Sequence, residues 1–289
     1  MLYEKEFLDV KDWLSKTEGN ILFSSGAFGD LFLGIDAALK YKFSMVYWSK
    51  PSTFDLSVKF LSAFNIKNYV INVGIPIWKN KDTVDFCYSL KTVLEDRGFR
   101  THGNNKCHLP IIKYLPDVVN QEYSNFKNYK LDLPQKYCLL CPCGSMSGPK
   151  AKRFFYLSEF QKLINTVRMH GIEPVIVGTN EQFKRYDPKK RCKWLQFERF
   201  ESNPITVEYF IETVRSSMFV VSPDTSLKTL SAAMHIPTFV LKNRNQNNEF
   251  VNGTWDRIFL DKKKWKTIEC FPFNKLIEWI NCLNTIKML

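Results

Sequence analysis

The stretch "VRSSMFVVSPDTSLKTLSAAMHIPTFVL", Val214 to Leu241, decides the fold. Its apolar run at 218–222 predicts a strand, and Pro223-Asp224-Thr225 forms a polar corner. The small-residue segment 225–234 has helical spacing, and 237–242 predicts a second strand. A strand, a helix and a strand joined this closely make a βαβ unit, whose two strands run parallel.

The same alternation extends in both directions. Within the second half, strands are expected at 137–141, 173–178 and 193–197 as well, with helices at 157–170 and 205–216. The tail 273–286 reads as one more helix, with Phe273, Leu276, Ile277, Ile280 and Leu283 on one side. The first half offers strands at 20–25, 44–49 and 68–73, and helices at 30–41, 53–64 and 82–97. Between 117 and 136 the periodicity fades into Asn, Lys, Tyr and Pro. The boundary is drawn there, giving domains 1–130 and 131–289. An α/β chain of two Rossmann-like domains follows, with mainly parallel sheets facing a cleft, and the last helix is free to pack back on the first domain.

Composition narrows the function. The chain of 289 residues carries a formal charge of +12, unevenly spread. Residues 1–130 hold 17 Lys and Arg against 14 Asp and Glu, and residues 131–289 hold 24 against 15. The basic second half favours phosphates, nucleic acid or an anionic membrane surface. No apolar run approaches the roughly 18 residues that cross a bilayer, and the start Met-Leu-Tyr-Glu-Lys-Glu lacks the order of a signal peptide, so a cytoplasmic protein is expected. Its eight cysteines are read as reduced thiols. Cys138 and Cys141 have the spacing of a zinc pair, but they lie in an apolar run and no second pair completes a set of four.

Three strand-to-helix corners could carry chemistry. The first is "SSGAFGDLFLGIDAALKY", Ser24 to Tyr41. Gly26 and Gly29 permit a tight turn and close approach of a ligand, and Asp30 stands in the first turn of the helix. Its carboxylate serves either as a base in the cleft or as a helix cap. The spacing is not the Gly-x-Gly-x-x-Gly of a dinucleotide site, and Trp48-Ser-Lys50 supplies no acid for a ribose. The second corner is 143–153, where Gly144, Ser145, Ser147 and Gly148 free backbone donors beside Lys150, Lys152 and Arg153. This loop suits a diphosphate, and an ordinary basic loop is the rival reading. At the third, Thr225 and Ser226 lie at a helix start that can hold phosphate, while Asp224 either accepts from sugar hydroxyls or caps the helix.

Taken in order, the three segments resemble the bacterial heptosyltransferase family, glycosyltransferase family nine. The resemblance implies a GT-B fold, with the acceptor on the first domain and a nucleotide-sugar on the second. It also implies inversion at the anomeric carbon, no cofactor and no catalytic metal. Its general base corresponds to Asp30, its phosphate-neutralising lysine to Lys152, and its donor-binding pair to Asp224 and Thr225. Lys228 stands beside them where the family usually has histidine, and is assigned to the sugar with Asp224. Ser145, Lys150, Arg153 and Ser226 complete the diphosphate contacts. Consistent with this, no Asp-x-Asp occurs in the chain to hold a divalent ion.

Two acceptors fit: a lipopolysaccharide core at the inner membrane surface, or hydroxylated bases in DNA, which the positive charge permits. A non-catalytic nucleotide or nucleic-acid binding protein and a nucleotide-sugar epimerase are the remaining alternatives.

Overall fold

The computed structural model describes residues 16, 21–26, 28–41, 44–49, 54–66, 69–73, 100–101, 108–112, 131–144, 154–187, 189, 191–196, 207–223, 225–234, 236–241, 268–271 and 273–282. Contacts within the chain divide it into two compact units, Met1–Phe126 and Lys127–Leu289.

In the first unit, β1 (Ile21–Gly26) leads into α1 (Phe28–Tyr41), followed by β2 (Ser44–Ser49), α2 (Phe54–Ala63) and β3 (Tyr69–Val73). Two further strands, β4 (Arg100–Thr101) and β5 (His108–Ile112), complete a sheet of order β3-β2-β1-β5-β4. The first three strands are parallel, as the alternation predicts, whereas β5 runs antiparallel to β1 and β4 antiparallel to β5. The sequence reading has no strand at 108–112, where Pro110 weakens the strand pattern. Pro110 stands opposite Leu22 of β1, and β4 pairs with the two residues after it, Ile111 and Ile112. The helix expected at 82–97 lies outside the described residues. Leu31, Phe32, Ile35 and Ala38 form the buried stripe of α1, and Phe32 meets Phe60 of α2 edge-on at 4.8 Å.

The second unit begins with β6 (Tyr137–Leu140), α3 (Leu157–Met169), β7 (Glu173–Gly178), α4 (Asn180–Tyr186) and β8 (Lys193–Gln196). It continues through α5 (Val207–Arg215), β9 (Val220–Ser222), α6 (Ser226–Ala233), β10 (Thr238–Leu241), β11 (Ile268–Phe271) and α7 (Phe273–Asn281). All six strands are parallel, in the order β11-β10-β9-β6-β7-β8. The unpredicted α4 is short, although Thr179 and Gln182 form a capping box in which Gln182 N donates to Thr179 Oγ1 at 3.3 Å and Thr179 N to Gln182 Oε1 at 3.1 Å. The four-residue β11 also went unpredicted.

Successive strand residues face opposite sides of the sheet. Cys138, Leu140, Val221, Phe239 and Leu241 point into a core shared with Phe160, Leu163, Ile164 and Val167 of α3 and Leu276, Ile277 and Ile280 of α7. The described packing of α7 is against α3, β10 and β11 of its own unit. On the other side α5 and α6 pack together, and Tyr137 Oη donates to Thr213 O of α5 at 2.7 Å. Helices thus cover both faces, which explains why β6, β9 and β10 are buried along their whole lengths.

Phe160 is fully buried, with the Tyr186 ring 5.2 Å away and Phe155 at 5.7 Å. Phe160→Ala is expected to destabilise the protein by about 3–5 kcal/mol in denaturant unfolding. Met169→Ala, at a side chain 82% exposed, changes stability by less than about 0.5 kcal/mol.

Candidate functional site

The strand order of the second unit reverses between β6 and β9. From β6 the chain moves outward through β7 to β8, then returns to β9 on the other side and moves away through β10 to β11. Ligands in open α/β sheets bind beyond the carboxyl ends of the strands at such a switch point. The residues that follow β6 and β9 are the second and third corners read from the sequence.

The backbone joins these two corners directly. Leu140 is in register with Val221, and one residue further Cys141 N donates to Val221 O at 2.9 Å. By alternation Cys141 and Ser222 both face the α6 side, opposite the α3 core. There Ser222 Oγ lies 2.7 Å from Pro223 O and 2.6 Å from Thr225 Oγ1. The Cys141 thiol donates to Cys143 O at 3.3 Å. Burial pushes this thiol up to about 12, reinforced by Cys143 and opposed by the Ser222 and Thr225 hydroxyls. Both Thr225 and Ser226 are half-buried at the start of α6, while Lys228 is only 7% exposed and engaged by a partner. Such burial fits a lysine whose charge is answered.

The polar loop after β6 is rooted at both ends. Cys143 and Phe154 form an antiparallel bridge, and Phe155 N donates to Pro142 O at 2.9 Å. Gln182 Nε2 reaches Cys143 O at 3.5 Å, linking the root to α4. Gly178 keeps that arrangement open, since a Cβ there would collide with the Gln182 amide. Exposed Arg185 lies over the Phe154 and Tyr186 rings at 6.0 and 5.4 Å. Burial raises the Cys143 thiol, while the Arg185 guanidinium pulls it the other way. Arg185 is therefore a cation beside the loop root that the sequence reading missed, and the Thr179-x-x-Gln182 box that starts α4 is the signal that would have placed it.

The remaining candidates divide by position. Gly26 is the last residue of β1, Gly29 is the second residue of α1 and Asp30 its third. The helix starts two residues earlier than the sequence predicts. For Asp30 the description covers the backbone, which sits in the first helical turn. Ser145, Lys150, Lys152, Arg153 and Asp224 lie outside the described residues. Cys138 and Cys141 are buried, as expected of small core residues. Cys138 belongs to the α3-side core and Cys141 faces the other way, so the two do not form a chelating pair. Among the described residues no three His, Cys, Asp or Glu side chains stand together as a metal site, and no helix is long and apolar enough to cross a membrane. A hollow at the amino end of the sheet is lined by Lys136, Arg168 and Glu173, but Arg168 is already committed to Glu173 at 2.5 Å and to Arg191 O at 2.6 Å.

No protein-family model and no curated protein matches the sequence. Among solved structures, the Escherichia coli heptosyltransferase WaaC with ADP-2-deoxy-2-fluoro heptose is similar at a TM-score of 0.53 and 10% identity, with 90% of this chain and 98% of that one covered. A putative UDP-N-acetylglucosamine 2-epimerase from Listeria monocytogenes is similar at 0.50 and 11% identity, with coverage of 92% and 88%. The chain has a GT-B fold. At this identity the likeness is one of architecture, and a GT-B fold hosts both transfer and epimerisation.

The described thiols provide a check on the corner. Cys141 and Cys138, both held protonated by burial, are expected to resist a thiol reagent at pH 8 in the native protein, while exposed Cys282 reacts. Because the folded-state value of Cys141 lies above its ordinary value of 9.0, its contribution to stability is present below that pH and is lost as pH rises toward about 12. Mass mapping of labelled peptides with and without denaturant reads the first effect, and thermal unfolding against pH the second.

Proposed function

We propose that this protein is a glycosyltransferase that moves a sugar from a nucleoside-diphosphate donor to a hydroxyl of an anionic acceptor resembling a lipopolysaccharide core, with inversion and without a metal. The carrying observation is that β6 and β9, the strands that lead into the segments 143–153 and 222–226, are neighbours at the strand-order reversal. WaaC was solved with a nucleoside-diphosphate sugar analogue, which supports the same donor class here.

In this reading the Asp30 carboxylate takes the proton of the acceptor hydroxyl as its oxygen attacks the anomeric carbon. The bond from that carbon to the diphosphate oxygen breaks, and its electron pair leaves with the nucleotide. Ser145, Lys150, Lys152 and Arg153, with the N–H groups of Thr225 and Ser226 at the head of α6, stabilise the departing charge. Single donors of this kind are worth roughly 3 kcal/mol. Asp224 and Lys228 hold the sugar. A protein working at the cytoplasmic face of the inner membrane suits such an acceptor.

Asp30→Ala is expected to abolish transfer, by at least about a hundredfold, while donor affinity stays within about twofold. Mass spectrometry of reactions with a panel of nucleotide-sugars and both acceptor classes reads the first, and calorimetry the second. Retained transfer removes Asp30 from the mechanism. Transfer to hydroxylated DNA with a steep loss in salt replaces the lipopolysaccharide acceptor by nucleic acid. The Listeria epimerase likeness favours one second reading, epimerisation of the nucleotide-sugar itself. An altered sugar nucleotide formed without any acceptor establishes that reading instead.

A further inference from the structure

Four arginine side chains are described in the second unit, and three of them are spent on carboxylates. Arg168 meets Glu173 at 2.5 Å, Arg215 meets Glu212 at 2.8 Å, and Arg191 stands 3.8 Å from Asp187. Arg185 is the exception. Glu181 lies four residues before it on α4, the spacing and order that favour a helical ion pair, yet among the described residues no carboxylate or carbonyl accepts from the Arg185 guanidinium. That group lies instead over the Phe154 ring at 6.0 Å and the Tyr186 ring at 5.4 Å. Both rings are fixed. Tyr186 is fully buried, its hydroxyl donates to Phe155 O at 2.9 Å, its carbonyl accepts from Gln161 Nε2 at 2.5 Å, and the Phe160 ring packs against it at 5.2 Å. Phe154 is held by its bridge to Cys143 and meets the edge of Tyr156 at 5.6 Å. A guanidinium resting on such a base loses little freedom on binding, and its N–H donors have no described acceptor.

We infer that Arg185 is a further phosphate-binding residue of this protein, presenting its guanidinium fork to an oxyanion of a nucleoside diphosphate. The inference rests on reading the strand-order reversal as the donor site. Position supports it. Helix α4 opens two residues after β7 ends, at the carboxyl edge of the sheet, and Gln182, one turn before Arg185, reaches Cys143 O three residues beyond β6. The Arg185 charge is felt there, since it pulls down the Cys143 thiol that burial raises. Covering two rings does not by itself require an unpaired charge. A planar fork with parallel N–H donors matches two phosphate oxygens at once, which a lysine ammonium does not.

The test compares wild type, Arg185→Gln, Arg185→Lys and Phe154→Leu by calorimetry with inorganic pyrophosphate, ADP and UDP. Arg185→Gln is expected to weaken all three at least about tenfold, the worth of a charge-assisted hydrogen bond. Arg185→Lys recovers part of the loss, because it keeps the charge without the fork. Phe154→Leu keeps the cation and removes one ring, so about a threefold loss is expected. Weakening of ADP and UDP with pyrophosphate unchanged moves the contact to the nucleoside and overturns the proposal. Thermal unfolding without ligand separates packing from binding: a lowered melting temperature in Arg185→Gln, with pyrophosphate affinity within about twofold of wild type, also overturns it. Labelling by phenylglyoxal, an arginine reagent, gives an independent reading through peptide mass mapping. Exposed, unpaired Arg185 is expected to react faster than Arg168, Arg191 and Arg215, and to be protected by pyrophosphate. Labelling indifferent to pyrophosphate overturns the proposal. If the probes bind wild type and weaken in Arg185→Gln while no nucleotide-sugar is consumed, the sugar-transfer reading fails and the phosphate assignment stands. If Arg185→Gln transfers sugar with an unchanged donor KM, the assignment fails and the transfer reading stands.

Discussion

Two adjacent parallel strands that send their chains to opposite faces of a sheet cannot both close the space above their carboxyl ends. That constraint, at the boundary between β6 and β9, underlies the rest of the second unit. The chain leaving β6 packs α3 on one side, and the chain leaving β9 packs α6 on the other. At their carboxyl ends the two strands are tied by the Cys141 N to Val221 O bond. Burial of both sheet faces supplies the apolar stability that lets this edge stay polar.

Much of this architecture was legible because fully buried parallel strands leave a strong trace. The runs at 137–141, 173–178, 218–222 and 237–242 are apolar almost throughout, as a sheet covered on both sides demands, and the observed strands agree within a residue or two. The elements that escaped are those whose signal is local or contradictory. Pro110 masks β5, the seven residues of α4 are too few for a period to show, and β11 spans four residues with Glu269 and Cys270 in its middle.

The site was legible in part. Its corners could be found because glycines, prolines and hydroxyls cluster where a strand must turn into a helix, and Thr225 and Ser226 do stand at such a turn. Its internal wiring was not legible. That Cys141 touches Ser222 and Thr225 depends on β6 and β9 being neighbours, although about eighty residues separate them in sequence. No spacing rule links positions that far apart. Arg185 was hidden in part for the same reason: the Thr179-x-x-Gln182 box marks the helix that carries it, but its place over Phe154 follows from tertiary packing.

The bridge between Cys143 and Phe154 has an evolutionary consequence. A segment whose two ends are already stitched together is thermodynamically insulated from the scaffold that carries it. Doubling the length of such a segment costs only about 0.6 kcal/mol in closure entropy. Insertions and deletions between Cys143 and Phe154 are therefore expected to cost the second unit little stability.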